Sequence, residues 1–261
     1  MRKQRYLTLE KRLSVPFWTK LAVPLASIVA GFLFSAIFLL ISGESPIEVY
    51  SVMFEGAFGS AYGLSETVVK MIPLMIISVG VAFAFKMQIW NAGGEGQLHI
   101  GAAAATYVVL HLNGCSRFVT VLLAFLAAFI CAGIYGLIPA ILKVKWKVNE
   151  LITCLMLNYV ATFFVAWLIQ GPWKDPTGFA FPRTRKIPSA GELTTFFGTR
   201  IHTGLIIGLA IALVLWFVIY KTRWGFEIKL IGAKEKVARY AGMSVNRNIL
   251  LVMFLSAGIA G

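Results

Sequence analysis

The residues best equipped for chemistry lie in one stretch, residues 86–105, written KMQIWNAGGEGQLHIGAAAA. Asn91, Glu95 and Gln97 are interleaved there with Gly93, Gly94 and Gly96, between two apolar runs. Each glycine costs a helix about 1 kcal/mol relative to alanine, so the cluster predicts a break rather than a continuous helix. Backbone groups freed at membrane depth are tolerated only inside protein or beside a water-filled cavity, and an intramembrane carboxylate such as Glu95 marks a pathway residue by default. The competing expectation is a plain turn between two spans, since most connections are short. Glu95 and His99 are i, i+4, which raises a metal or acid–base site, but a metal needs three or four ligands. His111 and His202 lie near span ends without an adjacent acid. No nucleophile motif, phosphate loop with its lysine or zinc pattern is present, and NAGGEGQ lacks the strand and spacing of a dinucleotide loop. Catalysis by this chain is therefore not expected, and no metal or cofactor of its own.

The elements that must position these residues are membrane helices. Of 261 residues 59% are hydrophobic and 13% charged, with a mean hydropathy of +0.80, which fits an all-α polytopic membrane protein and not a soluble domain. The net charge of +13 is scattered at the ends of apolar runs, as the positive-inside rule expects, and forms no nucleic-acid-binding patch. Cys115, Cys131 and Cys154 have no ligand spacing and read as packing residues.

Residues 1–20 form a basic, cytoplasmic tail, and residues 21–261 the transmembrane domain. Leu21–Ser42 is a first span. Glu44, Glu48, Glu55 and Glu66 follow without a base before Lys70, which places that segment outside; Ile47, Tyr50 and Phe54 recur at helical spacing, predicting a short interfacial helix. Met71–Phe85 and Leu98–Leu112 are short for spans. Fifteen residues rise only about 22 Å against a core of about 30 Å. Val68, Val69 and a snorkelling Lys70 can extend the first of them. Two short apolar segments around a glycine-rich break point to a transport site, which favours the broken-helix reading over the plain turn.

Phe118–Leu142 is a full span ending in Lys143, Lys145 and Lys147. In the next, Leu151–Ile169, Asn149 is the expected N-cap and Glu150 complements the helix dipole. Glu150, Cys154 and Asn158 share one face, and an interhelical hydrogen bond is the ordinary role for an amide at Asn158. Residues 171–200, with four prolines, form a long outer connection despite their basic residues. Ile201–Tyr220 is the next span, with a solvated His202 expected at its outer end. The basic segment 221–247 contains a helix candidate, AKEKVARYA, between Gly232 and a stop at Gly242. Its Lys234, Lys236 and Arg239 suit either anionic headgroups, which the charges slightly favour, or a cytoplasmic partner. The apolar run from Ile249 to Gly261 is too short to cross a bilayer, so further spans are expected beyond it.

Three stretches resemble, in order, signatures of bacterial ABC-importer permeases of the branched-chain amino acid, ribose and nucleoside group. They are ETVVKMIPLMIISVGVAFAFK with WNAGGEGQLHIGA, then VNELITCLMLNYVA, then WGFEIKLIGAKEKVARYAGMSVNRNILLVMFLSAGIAG. The GEGQ and VNE…MLNY blocks look most like the nucleoside (basic-membrane-protein-linked) permeases. The resemblance implies a multi-pass subunit of the bacterial plasma membrane, with a cytoplasmic N-terminus. It pairs with a second permease, two cassette ATPases that bind the ATP, and an extracytoplasmic substrate-binding protein. It further implies that the coupling helix falls on Gly232–Gly242, including Lys234, Ala238, Arg239 and Tyr240, which replaces the headgroup reading. A charge introduced at Ala238 is the expected way to break that docking.

The resemblance assigns Asn91, Glu95, Gln97, Asn149, Glu150 and Asn158 to the translocation pathway or its gating. The solute is then a nucleoside or similar small polar molecule, whose hydroxyls Asn91, Glu95, Gln97 and Asn158 bond while Phe83, Trp90, Tyr107 or Tyr159 faces the base. Ala92-Gly93-Gly94 departs from the group's apolar-glycine-small arrangement and implies a looser break. Sugar or branched-chain amino acid transport within the same group, and an ion-coupled carrier outside it, are the alternatives.

Overall fold

The computed structural model describes residues 16–112, 115–176, 178, 182–196 and 198–261. Most of the expected basic tail, residues 1–15, lies outside the described residues. The chain divides after Leu64 into two compact units.

In the first unit α1 (Phe17–Ile41) is an apolar helix of 25 residues with no buried side chain, and α2 (Pro46–Phe58) follows a tight turn. Pro46 opens α2, where its missing N–H costs nothing. Tyr50 and Phe54 turn onto α1: the Tyr50 hydroxyl donates to the Phe32 carbonyl at 2.6 Å, and both rings meet Phe32. Ile47, expected on the same apolar face, is 83% exposed.

In the second unit α3 (Ala61–Phe85, entering from the first), α4 (Gly94–His111), α5 (Arg117–Trp146) and α6 (Glu150–Gln170) precede a long connection. That connection holds two isolated bridges and a 3-10 turn at Ser189–Gly191, and leads to α7 (Gly204–Lys221), α8 (Arg223–Ala233), α9 (Glu235–Tyr240) and α10 (Val245–Ala260). Among the described residues five helices are long and apolar enough to span a membrane: α1, α3, α5, α6 and α7. The protein is a polytopic, all-helical membrane protein.

Helix α5 is the centre of the unit, with α4 and α10 against it. Its buried stripe is Ala124, Ala128, Ala132, Gly133, Gly136 and Ala140, small residues that let backbones approach. A Cβ on Gly136 would lie 2.1 Å from Ala257 Cβ on α10, so that crossing requires glycine. One end of the unit is rich in lysine, with Lys86, Lys143, Lys145 and Lys147 at helix termini. At the other end Arg200 pairs with Glu66 at 3.2 Å, and Arg117 Nη2 donates to the Glu192 carbonyl at 2.6 Å.

Three expectations are corrected. The span read as Met71–Phe85 is the last part of α3, which has 25 residues and a rise of about 37 Å. Neither Glu66, paired to Arg200, nor the exposed Lys70 interrupts the helix. Only α4, with 18 residues, is short beside the break. The short helix expected between Gly232 and Gly242 is α9, but it begins only at Glu235, after an elbow at Lys234 (φ −154°, ψ 97°) that separates it from α8. Finally, His202 is not simply solvated: its Nδ1 accepts from the Gly204 N–H at 3.2 Å, capping α7.

Candidate functional site

Helix α3 stops at Phe85, and residues 86–93 are non-helical before α4 starts at Gly94. The turn is made by Gln88, at φ 59°. The Gln88 N–H bonds the Phe85 carbonyl at 3.0 Å and the Ile89 N–H bonds that of Ala84 at 3.3 Å. This pair of bonds is the Schellman closure of a helix end, here with glutamine where glycine is usual. The glycines do not break the helix: none of the three has positive φ, Gly93 is the N-cap residue of α4, and Gly94 and Gly96 lie in its first turn. They are needed for approach. A Cβ on Gly96 would sit 2.8 Å from Asn158 Oδ1, and one on Gly94 2.7 Å from the Ile77 side chain.

Met87, Ile89, Asn91 and Gly93 are buried while Lys86, Gln88 and Trp90 are exposed, so one side of the break packs on protein, which shelters irregular backbone between membrane helices. Asn91 is the hub. Its Nδ2 donates to Gln97 Oε1 at 3.1 Å and to Ser256 Oγ on α10 at 2.8 Å. Its Oδ1 accepts from Gln97 Nε2 at 2.8 Å, from the Gly93 N–H at 3.2 Å and from Cys154 Sγ at 3.8 Å. The Ser256 hydroxyl in turn donates a hydrogen bond to the Gly80 carbonyl at 2.7 Å. Both Asn91 donors are occupied, and the residue is 0% exposed. Gln97, at 2%, is closed off with it.

Asn158 holds the break from α6: its Oδ1 accepts from the Gly96 N–H at 2.9 Å and its Nδ2 donates to the Ala92 carbonyl at 3.0 Å. It lies two turns into α6, about 12 Å from the helix start, so the break dips that far below the lysine-rich end. At the start of α6, Asn149 caps the helix by accepting from the Leu151 N–H at 2.9 Å. Glu150 pairs with Lys143 of α5 at 2.5 Å and also meets the Trp90 backbone. The face expected for Glu150, Cys154 and Asn158 therefore grips the break along its length.

Asn91, Gln97, Glu150 and Asn158 thus surround one structure, whereas Asn149 is an exposed cap and Glu95 stands apart, exposed in the first turn of α4. His99 does not form an acid–base pair with it; its Nδ1 bonds the Glu95 carbonyl at 2.8 Å. Phe83 is removed from the aromatic candidates, being 0% exposed and packed on Trp224. Trp90, Tyr107 and Tyr159 are 54%, 54% and 63% exposed. Sequence reasoning missed Ser256 and Lys143. The signal for Ser256 was present, since it is the only polar residue in the run 249–261. A separate cavity of about 1060 Å³ between α3, α4, α5, α7 and α10 has almost wholly apolar walls. It offers a hydroxylated solute little to bond.

At the elbow, Gly232 packs on the backbone of Lys86 and Met87, with room for no Cβ. Ala238 is 0% exposed and belongs to the core, so a charge there disrupts folding and is unsuitable for probing docking alone. Arg239 pairs with Glu235 at 2.7 Å, Lys234 is exposed, Tyr240 is 93% exposed, and Gly242, at φ 78°, turns the chain toward α10.

The chain is similar to the guanosine ABC transporter permease protein NupP of Bacillus subtilis, at 35% identity over 92% of this chain and 70% of that protein. It is 33% identical to a nucleoside ABC transporter permease protein of Lactococcus lactis subsp. cremoris, over 93% of this chain and 69% of that one. A glucose ABC transporter permease protein of Haloferax volcanii is 32% identical, over 97% and 69%. No solved structure matches. Residues 63–261, the whole of the region that carries the break, its α6 clamp and the elbow, match the family of branched-chain amino acid transport system permease components, and the chain belongs to that family.

Proposed function

We propose that this chain is the permease subunit of an ATP-binding-cassette importer and that its solute is a nucleoside. The observation that carries this reading is the similarity to guanosine and nucleoside permeases over more than nine-tenths of the chain. The lysine-rich end then faces the cytoplasm of a bacterial cell, as does the N-terminus, by the charge rule. ATP is hydrolysed on partner cassettes. They dock on α8–α9, where Tyr240 is the exposed aromatic anchor, Lys234 and Arg239 supply charge, and Gly232 and Ala238 fix the elbow to the body. A substrate-binding protein delivers the solute at the opposite end.

The pathway runs along α4. Glu95, His99, Ala102 and Thr106 fall on one face at i, i+4, i+7 and i+11, and Glu95 and Ala102 are exposed. A second permease subunit faces this stripe across the solute. Glu95 bonds the ribose hydroxyls, and Trp90 or Tyr159 offers a flat face to the base. Asn91, Gln97, Glu150 and Asn158 act by holding the break that sets the height and direction of α4, and Asn149 by fixing the start of α6. Cassette closure selects between two arrangements of this body, and solute moves because the two expose the site to opposite sides.

Sugar transport is the second reading, favoured by the glucose relative. Purification of the intact assembly from its native membrane tests both. A co-purifying cassette ATPase, with uptake competed by nucleosides and not by hexoses, supports the first. Competition by hexoses alone replaces it with the second. Uptake without a cassette overturns the importer reading.

A further inference from the structure

Helix α10 carries two hydrogen-bonded grips on one buried stripe, and they hold different parts of the protein. Near its start Asn248, 5% exposed, accepts from Trp224 Nε1 at 2.7 Å and donates to Glu227 Oε2 at 2.9 Å, both on α8. Two turns later, about 12 Å along the axis, Ser256 accepts from Asn91 in the break and donates to the Gly80 carbonyl of α3. Val252, 0% exposed, lies between them on the same face. No glycine or proline interrupts residues 248–256.

We infer that α10 is the rod that carries displacement of the α8–α9 elbow to the break, with Asn248 and Ser256 as positioning residues at its two ends. The inference rests on the reading of the elbow as the cassette-docking element. Helix α8 also touches the break directly, where Gly232 packs on the Lys86 carbonyl. That contact is steric, so it transmits a push and not a pull. Hydrogen bonds at both ends of α10 resist displacement in either direction. At the far end the displacement arrives at Asn91, whose amide pair with Gln97 moves the first turn of α4 and with it Glu95. The stripe is held at two ends: loss of either grip weakens the coupling, leaving the one-way Gly232 contact and the short link from α9 into α10, while the elbow remains on its cassette.

The test uses the assembled transporter, with its cassettes and binding protein, in proteoliposomes. Cys115 and Cys131 are replaced by serine, and the buried Cys154 is retained. Nitroxide labels are placed at Lys236→Cys on α9 and at Trp90→Cys in the break, in separate preparations used only for spectroscopy, and uptake per ATP is measured on transporter that keeps Lys236 and Trp90. In the parent both labels change mobility on addition of ATP. In Ser256→Ala, and separately in Asn248→Leu, the cassette still co-purifies and hydrolyses ATP and the α9 label still responds. The response of the label at position 90 shrinks to what the Gly232 contact alone transmits, and uptake per ATP falls about tenfold, the scale of one buried hydrogen bond. The double variant is no worse than either single one, because one rod cut twice is still one cut rod. Either single variant retaining the response at position 90, with uptake per ATP within about twofold of the parent, overturns the inference. So does a double variant whose loss is the product of the two single losses. A parent that binds no cassette overturns the importer reading itself.

Discussion

Replacing Asn91 by leucine, which has a similar volume, removes the hub of the break. Gln97 loses the partner of both its Oε1 and its Nε2, the Gly93 N–H loses its acceptor, and Ser256 Oγ loses one donor. Gln97 and Gly93 are buried, and each buried polar group left unmade costs about 1–3 kcal/mol. Ser256 retains the Gly80 carbonyl, so the cost falls on the other two residues and comes to about 2–6 kcal/mol. Each kcal/mol shifts Tm by about 2–4 °C in a chain of this size, which predicts a fall on the order of 10 °C. The partner variant Gln97→Leu is predicted to cost about 1–3 kcal/mol, because Asn91 keeps Ser256 and the Gly93 N–H. The double variant Asn91→Leu/Gln97→Leu is predicted to be no less stable than Asn91→Leu alone, since an apolar pair has replaced a polar pair and little is left unsatisfied. The assay is thermal unfolding of the detergent-purified protein, followed by loss of the monodisperse gel-filtration peak. Single variants within about 2 °C of the parent, but deficient in uptake, would refute the holding role and make Asn91 a solute contact.

Three further outcomes follow from the same geometry. Gln88→Gly raises Tm by a few degrees, since a non-glycine residue in the left-handed region costs about 1 kcal/mol; Gln88→Val lowers it, and the reverse order in the same melt would show that the turn is not built as described. Tyr240→Ala leaves the melt unchanged and weakens cassette binding at least about tenfold, as loss of an exposed aromatic anchor does, measured by co-purification at graded salt; unaltered binding removes Tyr240 from the interface. Glu95→Gln leaves stability unchanged, because the carboxylate is exposed and outside the hub, and lowers uptake; unchanged uptake by the folded assembly removes the carboxylate from the pathway.

Much of the fold was legible in one dimension. Uncharged runs gave α6 to within one residue at each end and α1 and α7 to within four, because a membrane span demands a length of continuous apolar chain. The cap at Asn149 and the stop at Gly242 were legible too, since helix ends need local hydrogen-bonding or left-handed residues. Glu66 and Lys70 hid the first half of α3, because periodicity cannot tell a charge that ends a span from one that is paired or reaches outward.

Other features required the tertiary structure. The sequence marked residues 86–97 as a break but credited the glycines with the turn. Only the backbone shows Gln88 making the turn, while Gly94 and Gly96 admit neighbours that lie far away in sequence. The carboxylate and the amides, adjacent in the chain, were expected to act together. Packing divides them: Asn91 and Gln97 close on each other and Asn91 on Ser256, whereas Glu95, on the opposite side of the same turn of α4, remains exposed. Local pattern determines which segments are helices and which residues are polar. Which polar groups are free for a solute depends on hydrogen bonds between residues up to 176 positions apart, and only the folded chain brings those together.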